Sequence, residues 1–263
     1  RARADTERLL IQFTVQIRNA LTTSLATRRA IVQVTAAQIA ASDDRGRAAL
    51  RRHLEAVQAQ FPEFVWLGVA DAQGRVIAAA GDILLGERVA GQAWFQQGRL
   101  HPYLGDAHEA APLGDARLAQ PTANNPSHAS AGAPMRFIDV AAPIGLTLGH
   151  SVGVLGASLS WAWIERLQAT LLRTLDSQRQ LEMLLVAEDG TVLIGPPAWR
   201  GGKLGAAADL TQNGAYVVNW RSLQTGQSPG WRVILRQDAE SALAPARSTR
   251  HTVFLGVLLA GLG

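Results

Sequence analysis

The feature that most constrains the fold is a pattern that occurs twice along the chain. Residues 67–79 read LGVADAQGRVIAA, and residues 184–195 read LLVAEDGTVLIG. Each copy is an apolar run, a turn with an acidic residue and a glycine, and a second apolar run, which is typical of a β-hairpin. Further strand-like segments follow each copy, at 135–144 and 151–161 and at 215–223 and 230–238. The repetition predicts an α+β fold with two tandem modules, each an antiparallel sheet with flanking helices.

The first part of the chain predicts an exceptionally long helix. Between Asp5 and Arg45 there is no glycine or proline, and apolar residues recur every three or four positions. A helix of this extent would be about 55 Å long, far longer than an ordinary globular helix. The sequence SDDRG at 42–46 interrupts it, and a second helix follows as far as Phe61. Such a helix continues a membrane span or forms a dimer seam, and a core helix of a bundle is the alternative.

The last residues of the sequence are apolar. Residues 253–263 read VFLGVLLAGLG, without one polar side chain. At ~1.5 Å per residue they would cover about half of a ~30 Å hydrocarbon core. We therefore expect residues 246–263 to contain the start of a C-terminal transmembrane helix, with a buried terminal helix as the alternative. Arg247 and Arg250 flank this run on the side taken as outside, which the positive-inside rule does not favour.

Composition excludes several classes of function. The chain has no cysteine, so disulfides, thiolate metal sites and a cysteine nucleophile are excluded, and a periplasmic location is compatible. The formal charge is +4 and the pI about 10.5, and arginine carries the basic character because Lys203 is the only lysine. The arginines are scattered over helical segments beside acidic residues, as on a solvated surface. We therefore expect no nucleic-acid partner.

Several longer stretches resemble one family. They are WFQQGR…PYLGDAHEA within 94–110, RFIDVAAPI at 136–144, GVLGASLSW at 153–161 and the closing GWRVILRQ at 230–237. Together with the long helix and the tandem modules, they are similar to the double Cache sensor domains of bacterial transmembrane receptors, whose modules are PAS-like. The resemblance implies a periplasmic part of an inner-membrane protein, often a homodimer, that binds a small molecule in the membrane-distal module. It also implies signalling across the membrane to a cytoplasmic output, of the kind found in diguanylate cyclases or histidine kinases.

The patterns and the resemblance together give four segments. The first contains the long N-terminal helix and the second helix, and through the long helix it would form the homodimer. The second is the membrane-distal PAS-like module, where we expect the ligand. The third contains a linking helix and the membrane-proximal PAS-like module, and the fourth attaches the chain to the membrane. In this order the segments are residues 1–61, 62–160, 161–245 and 246–263.

Seven residues of the distal module are candidates for contacts with the ligand. They combine aromatic walls with charges of both signs, as expected of a pocket that orients a small polar molecule. Arg136 and Asp139 are three positions apart on one strand, so their side chains point to opposite faces of the sheet. Only one of the two can face the pocket. The alternative is that Trp94, Phe95 and Trp66 are core residues and that Arg99 and Asp106 lie on the surface. The seven candidates are Trp94, Phe95, Arg99, Tyr103, Asp106, Arg136 and Asp139.

The sequence departs from the pattern of the amino-acid-binding members of this family. In those members an arginine precedes a Trp-Tyr pair by two residues, and an aspartate lies on the last distal strand. Here the corresponding residues are Gln92, Trp94-Phe95 and Ser158. The resemblance therefore argues against recognition of an α-amino acid.

No catalytic motif is complete. Ser151 lies in a G-x-S-x-G match, but that motif needs a following helix and a downstream acid and histidine. A strand pattern follows instead, and His251 is the only later histidine. His108-Glu109 lacks the second histidine of H-E-x-x-H, and phosphate-binding glycine loops are missing.

The sequence predicts no catalytic residue, cofactor or metal in this chain, and a diguanylate cyclase or histidine kinase activity only for a longer protein. A secreted hydrolase using Ser151 and a ligandless dimerisation ectodomain are the alternative interpretations.

Overall fold

A computed structural model describes residues 2–109, 136–147, 150–175, 181–204, 210–211, 216–223 and 229–240. The helices are α1 (Ala2–Ala41), α2 (Arg47–Gln60), α3 (Ala93–Gly98) and α4 (Trp161–Leu175). The strands are β1 (Phe64–Asp71), β2 (Val76–Ala79), β3 (Tyr103–Glu109), β4 (Arg136–Thr147), β5 (His150–Ser160), β6 (Leu181–Val186), β7 (Val192–Ile194), β8 (Tyr216–Ser222) and β9 (Arg232–Asp238). A long N-terminal helix and two antiparallel sheets with helices confirm the predicted α+β class.

The chain divides into two compact units, and each contains one sheet. The five-stranded unit consists of Thr22–Arg166 and Thr225–Pro229, and its strand order is β2-β1-β5-β4-β3. The four-stranded unit consists of Arg1–Leu21, Leu167–Gln224 and Gly230–Gly263, and its strand order is β7-β6-β9-β8. In both orders the second hairpin strand lies at a sheet edge, and the first pairs with the last strand of its sheet.

The repeated sequence pattern forms the same turn in both units. In the first hairpin the N–H of Gly74 donates to the carbonyl of Asp71 at 2.9 Å, and in the second the N–H of Gly190 donates to the carbonyl of Ala187 at 3.0 Å. Both glycines have positive φ, 74° and 88° respectively. This left-handed conformation is readily adopted only by glycine, which explains why a glycine ends both turns. The internal repeat seen in the sequence is therefore a structural repeat.

Strand β3 was not predicted from the sequence. The stretch that forms it contains Gly105 and Asp106, residue types depleted in strands, and it lacks a clear alternation of apolar and polar residues. Because β3 is an edge strand that pairs only with β4, its side chains need not form a continuous apolar face. A short segment of this kind has no strong pattern of its own. The composition of residues 110–134, rich in Ala, Pro, Asn, Ser and Gly, favours a long loop, and this segment lies outside the described residues.

One arginine joins three elements of the five-stranded unit. The Nε–H of Arg28 on α1 donates to Oε1 of Glu63 at 2.7 Å, and the guanidinium carbon lies 4.5 Å from the centre of the Trp163 ring on α4. Glu63 comes just before β1, and its carbonyl accepts the N–H of Ser160 at 2.9 Å. The Glu63 side chain is only 9% exposed, so this ion pair is largely shielded from solvent. Arg28 thereby fixes α1 to the start of β1 and to α4.

No helix in the described part of the chain is long and apolar enough to cross a membrane. The segment expected to begin a transmembrane helix, 246–263, lies outside the described residues. Its assignment stays a prediction from the sequence.

Candidate ligand-binding face of the five-stranded sheet

Residues of three strands form a row on one face of the five-stranded sheet. Trp66 on β1 lies opposite Ser158 on β5, and Ser158 lies opposite Asp139 on β4. Residues that are directly opposite on antiparallel strands project from the same face. An indole, a hydroxyl and a carboxylate therefore lie side by side, in the order β1, β5, β4.

The next row of the same face contains small residues. Gly68 lies opposite Gly156, which lies opposite Ala141, and Ala141 lies opposite Tyr103. The two glycines and the alanine leave space above the sheet, which larger side chains from neighbouring positions can occupy. A Cβ atom added at Gly156 would lie 2.5 Å from the Trp94 ring, so that ring rests directly on the glycine.

Aromatic rings occupy this space. The centres of the Trp66 and Trp94 rings are 5.5 Å apart, and the Phe95 ring meets Trp94 edge-on at 6.0 Å. The indole N–H of Trp66 donates to the carbonyl of Ile83 at 3.0 Å, which fixes the orientation of that ring. All three aromatic side chains are buried in one core cluster, against which Tyr103 packs. The face is therefore rigid and apolar beside the Asp139 carboxylate.

Asp139 is the polar centre of the face. Its Oδ1 accepts a hydrogen bond from the Ser158 hydroxyl, and its Oδ2 lies 2.9 Å from Nε2 of His108 on β3. The Asp139 side chain is 17% exposed, whereas that of His108 is 40% exposed. A partly exposed histidine is a partner that a competing cation could replace. The Ser158 hydroxyl donates to this carboxylate, so Ser158 is not paired with His108 in the way that activates a nucleophile.

The negative charge of the same carboxylate affects the pKa of Tyr103. Burial is the main cause that raises the pKa of its phenol, and the negative charges of Asp139 and Asp106 raise this pKa further. Each of these effects disfavours the phenolate. Tyr103 therefore keeps its proton into alkaline solution.

The structure brings four of the seven candidate residues to one face. Trp94, Phe95 and Tyr103 belong to or pack against one apolar cluster, which also contains Phe137. Asp139 is two residues beyond Phe137 on β4 and therefore shares its face. The burial of Trp94 and Phe95 also agrees with the alternative that they are core residues. A core side chain can at the same time form the wall of a ligand site.

The other three candidates lie elsewhere. Arg99 is exposed at the C-terminal end of α3, and Asp106 is exposed on β3, where its carboxylate accepts the N–H of Ala107 at 2.7 Å. Arg136 lies on the opposite face from Asp139, as the alternation of strand side chains requires, with Nη2 3.6 Å from Oε1 of Glu109. These placements leave Asp139 as the charged candidate on the aromatic face.

Sequence reasoning missed His108 as a neighbour of Asp139. His108 lies opposite Phe137, so it shares that face, and Asp139 is its diagonal neighbour. The register of β3 against β4 shifts between Leu104 and Ala107, which sets this alignment. A histidine six residues after Pro102 carries no signal of its own; only the cross-strand register could have shown it.

Ser151 does not form a nucleophile elbow. It lies on β5 opposite Leu146, and the strand continues to Ser160 before α4 begins. The sharp strand-to-helix turn that exposes such a serine is therefore missing at this position. No group of three or more histidine or acidic side chains among the described residues is placed to hold a metal ion.

Solved sensor domains share this fold. The ligand-binding domain of the Pseudomonas fluorescens chemoreceptor CtaA, in complex with L-leucine, gives a TM-score of 0.63 at 20% identity over 91% of this chain and 97% of that one. The corresponding domain of the Pseudomonas aeruginosa chemoreceptor PctC, in complex with GABA, gives 0.63 at 18% identity over 88% and 99%. The sensor domain of the V. cholerae histidine kinase DctB gives 0.51 at 12% identity over 90% and 96%. No protein family and no curated protein matches the sequence. The chain therefore has the fold of the sensor domains of chemoreceptors and histidine kinases, as the resemblance to double Cache domains predicted.

Proposed function

We propose that this chain is the extracytoplasmic sensing domain of a bacterial membrane receptor and binds a small organic ligand on the aromatic face of the five-stranded sheet. The supporting observation is the Asp139 carboxylate, which is mostly buried beside Trp66 and Trp94. Burial of a carboxylate has a free-energy cost that donors or a cation must offset. Ser158 and His108 supply donors, and a ligand cation would supply more.

The ligand that fits this face is a small organic cation with an apolar body. The similar domains whose complexes name L-leucine and GABA bind molecules with one ammonium and one carboxylate. In this chain Asp139 can receive an ammonium, whereas Arg136 lies on the opposite face and Arg99 is exposed. A ligand carboxylate would therefore meet Asp139 without either of these arginines beside it. An amine without a carboxylate avoids that repulsion.

Binding would be transmitted to the rest of a receptor through a change between two arrangements of the chain. A ligand shifts such an equilibrium only when it binds one arrangement more tightly. We place the sensing module at 62–160 and the membrane-proximal module at 161–245 of a periplasmic homodimer, with α1 as the dimer contact. The apolar run at 253–263 would lead through the inner membrane to a diguanylate cyclase or histidine kinase output.

Three related compounds test the ligand class. Isopentylamine is a cation, L-leucine a zwitterion and isovalerate an anion, and all three have the same isobutyl group. We expect thermal stabilisation of the chain in the order amine, amino acid, acid. The substitution Asp139→Asn should weaken amine binding about tenfold or more, since a hydrogen bond to a charged group contributes about 1.5–3 kcal/mol. Calorimetric titration measures the affinities.

Asp106→Asn is the matched control, because this acid on β3 is exposed and also lies near Tyr103. Its amine affinity should stay within twofold of the parent chain. If L-leucine bound more tightly than isopentylamine, the ligand class would be amino acids and the assignment of a cation would be wrong.

A ligandless dimerisation ectodomain is the second candidate function. The observation in its favour is that Trp66 and Trp94 already fill the space above Gly68 and Gly156. In that case none of the three compounds would stabilise the chain, and Asp139→Asn would change only its stability.

A further inference from the structure

The four-stranded unit buries an arginine whose hydrogen bonds are incomplete. Arg236 on β9 is 3% exposed. Its Nε and Nη2 both lie 2.6 Å from Oε2 of Glu182 on β6. Its Nη1 is buried and has no hydrogen-bond partner among the described residues. A buried donor without a partner has a free-energy cost, which is larger when the donor is charged.

The contacts of the guanidinium leave the donors of Nη1 without a partner among the described residues. The guanidinium carbon lies 4.4 Å from the centre of the Trp199 ring and 4.2 Å from that of the Tyr216 ring, so aromatic rings pack against the group. Glu182 occupies the side edge formed by Nε and Nη2. The end edge, formed by Nη1 and Nη2, matches the two oxygens of a carboxylate.

We propose that Arg236 is the anchor of a second ligand site, which binds a small monocarboxylate through the end edge of its guanidinium. This site is in the four-stranded unit and does not depend on the function proposed for the five-stranded sheet. The aromatic contacts hold the guanidinium in place before a ligand arrives, and such preorganisation lowers the entropy cost of binding.

The neighbours of Arg236 determine which acids fit. Val218 lies opposite Arg236 on β8, and Ile234, two residues along β9, belongs to an apolar cluster with Leu184. Trp199 and Val218 pack against that cluster. An apolar environment favours a singly charged acid with a short apolar tail over a multiply charged anion, because desolvation disfavours each added charge.

Titration of the 263-residue chain with sodium acetate tests the proposal, with sodium chloride at equal ionic strength as the blank. We expect saturable binding by calorimetry and a rise in melting temperature. Arg236→Lys keeps the charge but loses the planar fork, and it should weaken acetate binding at least tenfold. Arg232→Lys, on the same strand, should leave the affinity within twofold.

A second variant covers the case in which Arg236→Lys fails to fold. Glu182→Gln keeps the guanidinium and removes the negative charge beside it, so acetate should bind several times more tightly. The Glu182 side chain is 42% exposed, which makes this change mild for folding. An unchanged affinity in Glu182→Gln would overturn the proposal.

Other results would also overturn it. They are the absence of saturable acetate binding to the parent chain, equal affinity in a folded Arg236→Lys variant, and inorganic phosphate binding as tightly as acetate. Asp139→Asn should leave acetate binding unchanged, so failure at this site and failure on the five-stranded sheet are distinguishable.

Discussion

The two sheets support their aromatic side chains in different ways. In the five-stranded unit the Trp94 ring rests on Gly156, and the charge next to the rings is the Asp139 carboxylate. In the four-stranded unit two aromatic rings pack against the guanidinium of Arg236. Both units share the hairpin turn and the strand arrangement around it, yet one buries an anion and the other a cation. A repeated fold is therefore not a repeated site, and the chemistry depends on single residues of the sheet face.

The largest change in stability is expected from Gly156→Ala, which tests whether the Trp94 ring rests on the five-stranded sheet. The added Cβ would collide with the Trp94 ring at 2.5 Å, so the ring and α3 must shift. Overpacking of this kind destabilises a core by about 1–3 kcal/mol, and we expect about 2 kcal/mol in the free energy of unfolding. Urea denaturation measures it. Gly91→Ala is the control, because no atom lies within 4 Å of its added Cβ; an equal loss in both variants would show that Trp94 does not rest on the sheet.

A smaller effect should distinguish the two hairpin turns. Gly74→Ala and Gly190→Ala both place a side chain at positive φ, which costs about 1–2 kcal/mol. At Gly190 nothing lies within 4 Å of the added Cβ, whereas at Gly74 the Cα of Ala90 would be 2.8 Å away. We expect Gly74→Ala to lose about 1 kcal/mol more unfolding free energy than Gly190→Ala in urea denaturation. Equal losses would mean that backbone conformation alone limits both turns.

The smallest effect concerns the two tyrosines, one near each buried charge. In a Tyr216→Phe background Tyr103 is the only tyrosine left, and its ultraviolet phenolate absorbance should appear above the usual pKa of about 10. Because the folded-state pKa is raised, the contribution of Tyr103 to stability is present below pH 10 and is lost as pH rises through the folded pKa. Adding Asp139→Asn should lower this pKa but leave it raised, since burial is the larger cause. No change on adding Asp139→Asn would mean that the carboxylate does not act on the phenol.

The sequence was sufficient for the fold class because local patterns repeat. The hairpin of β1 and β2 and that of β6 and β7 were predicted from an apolar run, a turn with glycine and a second apolar run, which are properties of neighbouring residues. The long helix α1 followed from its apolar spacing and the absence of glycine and proline. Elements of this kind need no knowledge of distant contacts.

The polar part of the site needed such knowledge. Asp139 was a candidate by residue type, but its neighbours Ser158 and His108 come from two other strands. Their proximity depends on the register of β4 with β5 and on the irregular pairing of β3. Arg236 was missed for the same reason, since its ring contacts join β9 to β8 and to the segment after β7.

The contacts of Arg28 oppose sliding of α1 inside the five-stranded unit. An ion pair holds only while its atoms remain within about 4 Å, and an α-helix rises ~1.5 Å per residue. A slide of α1 by one full turn, ~5.4 Å, would detach the guanidinium from Glu63 and from the Trp163 ring together, because both contacts use the same group. Arg28 thus couples two contacts in one side chain: a slide of α1 by a full turn against β1 and α4 requires this side chain to release Glu63 and Trp163 or to change its conformation.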